Sequence, residues 1–366
     1  MNLTLYKTEF LDAIKLVKNA VSTMDLQPIT KCILLSADDE GLTLTATDLE
    51  MSVVSSRIMC EVHEPGEAAI DAKLLSDIVS KLPQESITLT GADQDLQIKS
   101  GKTLMNIKGL YAEDFPLVNM DDIKMVFSGI TEQNFLDLLK GTAFSVSQVD
   151  GVKPALTGVL IETNVNRLMA TTSDGFRVSR KYINAAFDSN YRILFQGRCA
   201  NRLIKMLNPK SADIVRFMTT NYHLIMETDK WTITTRLMTD EYPDYNHLFN
   251  NDFTTTIEVG SEQFLESLER VKVITTKSVN RVKLSQNANT LILSAGDTMG
   301  SAYDEIEAFI TGPPIDINFN TDYLISIMKT VKDETVTIGL TGTNNAGYLH
   351  SHDSDYDYLV LPLRAK

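Results

Sequence analysis

The chain has 366 residues, 43% of them hydrophobic, more than one core of ordinary size accommodates, so two or three domains are expected. The amino-terminal MNLTLYKTEF has no basic segment leading into an apolar stretch, and nowhere do about 18 uncharged apolar residues run together, so neither a signal peptide nor a membrane span is expected and the location read from sequence is cytoplasmic. A formal net charge of -14 argues against a uniformly basic nucleic-acid binder and leaves the question to how charge is distributed, because a basic face can sit within an acidic whole.

A first helix opens at Thr8-Glu9-Phe10-Leu11-Asp12, with the Thr hydroxyl placed to cap and Glu9 in the positive first turn. Phe10, Leu11, Ile14, Val17 and Val21 recur at helical spacing and leave Lys15 and Lys18 on the other side. An alternating, Thr-rich strand at Leu42-Thr43-Leu44-Thr45-Ala46-Thr47 runs into a turn at Asp48 and another strand, which predicts a hairpin. A second helix spans Lys73 to Leu82, where Lys73, Asp77 and Lys81 share a face opposite Leu74, Leu75, Ile78 and Leu82. Paired strands follow at Ser86-Ile87-Thr88-Leu89 and Leu96-Gln97-Ile98.

The same order then recurs. Helices open at Thr131-Glu132 before Phe135-Leu136-Asp137 and at Ser261-Glu262 before Phe264-Leu265-Glu266. Strands at Arg167-Leu168-Met169-Ala170-Thr171-Thr172 and Thr290-Leu291-Ile292-Leu293-Ser294-Ala295 lead to turns at Asp174-Gly175 and Gly296-Asp297. Second helices are predicted from Arg198 to Leu207, with Arg198, Arg202 and Lys205 opposing Leu203, Ile204 and Leu207, and from Asp322 to Val331, with Lys329 and Lys332 at its end. The fold class is α+β: three repeated domains, each of two helices packed on antiparallel sheet, over 1–122, 123–251 and 252–366.

Chemical motifs are few. Cys32, Cys60 and Cys199 are far apart and odd in number, which argues against a disulfide framework or a zinc site. Ser100-Gly101-Lys102-Thr103 resembles the end of a phosphate-binding loop but lacks the first Gly, at Leu96, and reads as a hairpin turn. Asp353, Asp355 and Asp357 start like a calcium loop, yet Tyr358 stands where Gly is needed. His350 and His352 share a strand face without a third ligand. Asp48 and Glu50 are two carboxylates on what reads as a solvated hairpin, with no acid-base partner in view. No cofactor is expected, and binding is favoured over catalysis.

Taken together and in order, several segments resemble one family. Gln27-Pro28-Ile29 before Cys32-Ile33-Leu34-Leu35, Thr47-Asp48-Leu49-Glu50-Met51, His63-Glu64-Pro65-Gly66 and Ala112-Glu113-Asp114-Phe115-Pro116 are similar to the first-domain signatures of the bacterial DNA polymerase III beta subunit family, the DNA sliding clamps. Thr172-Ser173-Asp174-Gly175-Phe176-Arg177 and Tyr242-Pro243-Asp244-Tyr245 resemble those of the second domain, and Leu361-Pro362-Leu363-Arg364 the chain end.

The resemblance implies a non-enzymatic processivity factor, a head-to-tail homodimer ring of the DNA clamp fold threaded by duplex DNA. DNA-facing cations would be Lys15, Lys18, Lys73, Lys81, Lys140, Arg198, Arg202, Lys205, Lys329 and Lys332. Met105 and Ile107 would face Val273 and Ile274 across the dimer interface. It implies a pocket for short peptides of the replicative polymerase catalytic subunit, the clamp loader, translesion polymerases, mismatch repair proteins and ligase. That pocket would be formed by Leu156, Ser173, Gly175, Phe176, Arg177, Val178, Pro243, His247, Leu248, Leu359, Leu361, Pro362, Leu363 and Arg364. Departures from the family pattern are Phe176 in place of a frequent His, His247 in place of a frequent Arg, Met24 where an Arg that touches DNA is expected, and the extension Ala365-Lys366. The competing reading is a triplicated adaptor that binds protein or polysaccharide without enclosing DNA.

Overall fold

The first third of the chain forms β1 (Asn2–Tyr6), α1 (Lys7–Val17), β2 (Cys32–Asp38), β3 (Gly41–Thr47), β4 (Met51–Ser55), β5 (Glu61–Glu64), β6 (Gly66–Asp71), α2 (Ala72–Lys81), β7 (Ser86–Ala92), β8 (Asp95–Ser100) and β9 (Thr103–Lys108). The order returns as β10 (Lys124–Thr131), α3 (Glu132–Lys140), β11 (Gly158–Asn164), β12 (Arg167–Ser173), β13 (Arg177–Asn184), β14 (Arg192–Gln196), α4 (Gly197–Met206), β15 (Ile214–Thr219), β16 (His223–Glu227) and β17 (Trp231–Arg236). It returns again as β18 (Thr255–Gly260), α5 (Ser261–Lys272), β19 (Arg281–Asn287), β20 (Thr290–Asp297), β21 (Gly300–Thr311), β22 (Ile317–Asn320), α6 (Thr321–Met328), β23 (Thr335–Leu340), β24 (Gly347–Ser351) and β25 (Tyr356–Val360). These elements come from a computed structural model that describes residues 1–22, 27–92, 94–148, 153–249, 252–275, 280–297, 300–351 and 355–364.

The first helix of each repeat is anchored in the same way. Phe10, Phe135 and Phe264 each stand at the fourth helical position and each is 0% exposed, a burial worth about 1.5–3 kcal/mol apiece. The expected hydroxyl caps hold in one of the three cases. Thr131 Oγ1 accepts from Asn134 N at 3.2 Å. Thr8 lies inside α1 after an uncapped Tyr6, and its hydroxyl donates instead to Glu85 Oε2 at 3.2 Å. Ser261 is likewise the first residue of α5, not its cap, and its hydroxyl is buried without a hydrogen-bond partner among the described residues. In all three repeats the preceding strand runs straight into the helix and its last residue, Tyr6, Thr131 or Gly260, takes the capping position, so a hydroxyl is available there only in the second. Two of the second helices carry side-chain caps instead: Asp71 accepts from Leu74 N at 2.8 Å, and Asn320 from Asp322 N at 2.9 Å.

Strand pairing crosses the repeat boundaries, so the tertiary contacts gather into two units rather than three thirds. One comprises residues 1–135 and 201–237, the other 136–200 and 238–366. In the first unit, a five-stranded sheet runs β5-β1-β7-β8-β9 and an eight-stranded sheet runs β10-β15-β16-β17-β4-β3-β2-β6. The joint within the larger sheet is the antiparallel pair β17 and β4, in register from Trp231↔Ser55 to Thr235↔Met51. In the second unit, a twelve-stranded sheet runs β14-β11-β12-β13-β25-β24-β23-β18-β21-β20-β19-β22, and its corresponding joint is β13 with β25, from Arg177↔Val360 to Lys181↔Tyr356. In both joints the last strand of one repeat lies beside the strand that follows the Asp-turn of another. The Gly101-Lys102 segment is the expected hairpin, with Ser100 opposite Thr103 and Gly101 at φ +59°.

Candidate functional site

The Asp-turns of the first two repeats are built identically. Thr47 Oγ1 donates to Met51 O at 3.0 Å and accepts from Leu49 N at 3.1 Å, while Asp48 Oδ1 accepts from Glu50 N and Met51 N at 3.2 and 3.0 Å. Ser173 and Asp174 repeat all four bonds toward Arg177 O, Gly175 N, Phe176 N and Arg177 N at 2.7, 3.1, 3.0 and 3.1 Å. The third position is left-handed in both, at φ +74° for Leu49 and +87° for Gly175. Glycine adopts that conformation without the Cβ conflict that Leu49 accepts. Asp48 is not the solvated carboxylate expected from sequence: its side chain is only 10% exposed and it pairs with Arg202 at 2.5 Å.

Around the second turn, within one unit, most residues expected to bind peptide come together. Arg177 is largely buried. It donates from Nε to Asp174 Oδ2 at 2.9 Å, from Nη1 to Ser326 Oγ at 2.7 Å and from Nη2 to Phe144 O at 2.7 Å, and its guanidinium lies 4.3 Å from the centre of the Tyr323 ring. The chain end is tied to the same turn, since Leu361 N donates to Phe176 O at 2.8 Å and Leu363 N to Asn318 O at 2.7 Å. Val178 lies opposite Leu359 in the β13–β25 joint. Buried Leu156 approaches the position where a Gly175 side chain would begin, to 3.9 Å, and packs in a cluster with Ala155, Leu160, Leu194 and Tyr242.

Several apolar side chains of the set remain open to solvent: Phe176 is 60% exposed, Leu361 42%, Leu248 41% and Leu363 38%. His247 and Arg364 are exposed and Pro243 is half-buried. Sequence reasoning missed Tyr323, Ser326, Phe144 and Asn318, which position Arg177 and the chain end. Tyr323 and Ser326 are three apart on α6 and so share a face, but nothing local connects them to a turn far away in sequence.

The predicted cations on the helices are exposed, apart from half-buried Arg202, and several have acidic neighbours. Lys15 pairs with Asp12 at 3.0 Å, Lys329 with Glu269 at 2.9 Å and Lys332 with half-buried Asp137 at 3.2 Å, solvent-facing pairs that contribute little. Lys18 Nζ reaches Ser76 Oγ at 3.5 Å, and Arg198 Nε donates to Gln196 Oε1 at 2.6 Å. Lys15 and Lys205 also border a cavity of about 780 Å³ with Met59 and Trp231 in the first unit. Leu74, expected on the apolar face of α2, is 42% exposed, because the packed face is carried by Ala72, Leu75, Ser76 and Val79.

Two strand edges are open. Among the described residues β9 pairs only with β8, and the Gly300–Glu307 part of β21 pairs only with β20. On β9 Leu104 is 51% and Met105 40% exposed, whereas Ile107, at 9%, is already buried in its own sheet. Val273, just past α5, is 81% exposed, Ile274 is half-buried, and Tyr303 on β21 is 64% exposed. Among the described residues no group of three or more His, Cys, Asp or Glu side chains is placed to hold a metal ion, and no helix is long and apolar enough to cross a membrane. Met24, His352, Asp353 and Ala365-Lys366 lie outside the described residues.

Comparison with known proteins accounts for nearly the whole chain. Residues 1–121 match the family model of the DNA polymerase III beta subunit N-terminal domain, 129–244 that of its central domain and 246–364 that of its C-terminal domain. The beta sliding clamp of Pseudomonas aeruginosa is 26% identical over 369 residues and that of Bacillus subtilis 26% over 380, with all of both chains covered in each case. The crystal structure of the Bacillus subtilis DNA polymerase sliding clamp superposes with a TM-score of 0.92 at 25% identity, and that of the Pseudomonas aeruginosa clamp bound to griselimycin with 0.93 at 26%, again over the whole of both chains. A repeated helix-and-sheet plan, sheets that run across the repeats, and three successive matching domains have one explanation: the chain belongs to the bacterial DNA polymerase III beta subunit family, the beta sliding clamps.

Proposed function

We propose that the chain works as a DNA sliding clamp, a non-catalytic processivity subunit that encircles duplex DNA and tethers a replicative polymerase to it. The carrying observation is the repeated joint between a last strand and a post-turn strand. It occurs twice within the chain, at β17 with β4 and at β13 with β25, and leaves β9 and β21 with open edges. A third joint of the same kind needs a second copy, β9 of one against β21 of the other. Head-to-tail contacts of this type close into a ring when the rotation allows, and two copies of three similar domains, divided at 122/123 and 251/252, make a six-domain annulus. Met105 with neighbouring Leu104 on one side, and Val273, Ile274 and Tyr303 on the other, supply exposed apolar surface for it.

Retention on DNA is then topological. The inward cations contribute a weak, sequence-independent attraction to phosphates, and their exposed acidic neighbours keep it weak enough for sliding. A polymerase held through its peptide stays at high effective concentration near the template, which raises processivity without altering its chemistry. The exposed side chains of Phe176, Leu248, Leu361 and Leu363 around a rigid hairpin suit an apolar linear peptide of polymerase, clamp loader or repair protein. The proposed location is cytoplasmic.

The experiment is loading onto nicked circular DNA by the cognate clamp loader with ATP, followed by linearisation with one cut. Protein retained on circles and lost from linear ends is the expected outcome. Equal retention on both, with a loader shown to be active, rejects threading and returns the chain to the adaptor reading.

A further inference from the structure

A second basic site lies away from the helices, on the strands of the second repeat. One face of β12 carries buried Leu168 and Ala170, and the other carries Arg167 and Met169, as strand alternation requires. Across that second face the pairing aligns Arg192, Glu162, Met169 and Tyr182 in one row, with Arg180 two residues before Tyr182 and Arg167 two before Met169. Arg167, Arg180 and Arg192 thus converge from β12, β13 and β14 on a cavity of about 450 Å³, together with Tyr182, Tyr191 and Asn246.

Arg180 sets this cavity apart from an ordinary solvated patch. It is only 5% exposed, it lines the cavity, and its Nε has no hydrogen-bond partner among the described residues. Its guanidinium stacks 4.1 Å from the centre of the Phe249 ring. That Nε is closed off from solvent, so what Arg180 offers the cavity is the positive charge of its guanidinium. The carboxylates nearby are engaged elsewhere. Glu162 stands 3.8 Å from Arg192 Nε, Asp357 is occupied by Tyr182, Tyr348 and His350, and Asp355 accepts from Asn184. Three guanidinium groups against the lining Glu162 and Asp357, the cross-strand neighbour of Arg180, leave the cavity net positive.

We propose that this cavity binds a phosphate dianion, free or esterified to a small molecule. Guanidinium forks match phosphate oxygens in pairs, and the net positive charge attracts an anion. The volume falls in the range of small-ligand sites and exceeds what a bare ion needs, and the Tyr182 and Tyr191 rings offer surface for an attached group. The site is independent of DNA threading and of peptide docking, since Arg167 and Arg192 belong to neither set.

The test is isothermal titration calorimetry of the full chain with inorganic phosphate, thymidine monophosphate, acetate and a hexaglutamate peptide at fixed ionic strength. Saturable binding of a phosphate probe but not of acetate is expected, weakened at least about tenfold in Arg167→Gln and in Arg192→Gln, as loss of a charge-assisted bond predicts. Both residues are exposed, so these variants are expected to keep the wild-type circular dichroism spectrum and to load onto circular DNA as the wild type does. A tighter fit of the ester identifies an organic phosphate, and equal affinities identify the free ion. Unchanged affinity in both variants, no saturable binding of either phosphate probe, or binding of hexaglutamate alone overturns the proposal; the last outcome points to an acidic protein segment instead.

Discussion

Replacing Arg177 with Ala removes the centre of the second Asp-turn. The guanidinium and its partner Asp174 are 11% and 13% exposed, and the substitution removes the side-chain donor to Asp174 Oδ2, to the Phe144 carbonyl and to the Ser326 hydroxyl together. Removing one member of a buried charge pair costs about 3–5 kcal/mol; the residual exposure favours the lower end, and loss of stacking on Tyr323 at 4.3 Å adds up to about 1 kcal/mol. At about 2–4 °C per kcal/mol for a unit of this size, a loss of about 3–4 kcal/mol should lower the transition by roughly 6–16 °C in scanning calorimetry. Arg177→Lys keeps the charge but lacks the fork that reaches three partners, so it should recover less than half of the loss. Hydrogen exchange should report the same event locally, as faster exchange at the Arg177 and Leu361 amides, which close the turn and tie the chain end to it. An Arg177→Ala protein that melts within about 2 °C of wild type would refute the claim that this network holds the turn.

Peptide docking should depend on side chains that the turn presents to solvent. The double change Leu363→Ala and Arg364→Ala is expected to weaken binding of a polymerase or clamp-loader peptide by about tenfold or more in fluorescence anisotropy, on the scale of lost hot-spot contacts, while sedimentation shows an unaltered dimer; unchanged affinity removes these residues from the site. A charge on the open β9 edge, Leu104→Asp, should convert the dimer to a monomer in sedimentation equilibrium with little change in melting of the chain, because Leu104 is 51% exposed. A persistent dimer places the interface elsewhere.

A pH dependence is expected from the strand network of His350 and Asp357. The hydrogen bond to Asp357 raises the His350 pKa above its ordinary 6.5, against the opposing effect of burial. Its contribution is therefore complete below pH 6.5 and lost as pH climbs through the raised value, and His350→Gln should flatten stability over that window. At Asp357 burial acts to raise the pKa but is outweighed by hydrogen bonds from His350, Tyr348 and Tyr182, so the value is lowered from 3.8 and that contribution fades only as pH falls through the depressed value. Melting temperatures of His350→Gln that track wild type across pH 6 to 8 would contradict the linkage.

Much of the fold was legible from local pattern. The second helices begin at Ala72, Gly197 and Thr321, each one residue before the position read from sequence, and α6 ends three residues short of Val331, at Met328. The Asp-turn strands also begin where alternation placed them, at Gly41–Thr47, Arg167–Ser173 and Thr290–Asp297, but the third runs on through Gly296-Asp297, the expected turn, which pair with Ser301 and Gly300. Helical and strand periods are properties of consecutive residues, and the repetition of Phe, Asp-turn and basic helix exposed the triplication without any tertiary information. The residues around the second Asp-turn could be assembled only through family resemblance, since Leu156, Phe176, His247 and Leu363 are distant in sequence.

Tertiary structure alone decided which strands meet. Alternation tells a strand which face is buried but not which edge it joins, so nothing near Met51 points to Trp231–Arg236, and nothing near Arg177 to Tyr356–Val360. The same limit hid the Asp48–Arg202 pair, the three partners of Arg177 and the meeting of Arg167, Arg180 and Arg192 at one cavity. Sequence determined the repeated parts because their periods are local; the joints between them required the fold, because edge pairing and buried charge are set by residues that only packing brings together.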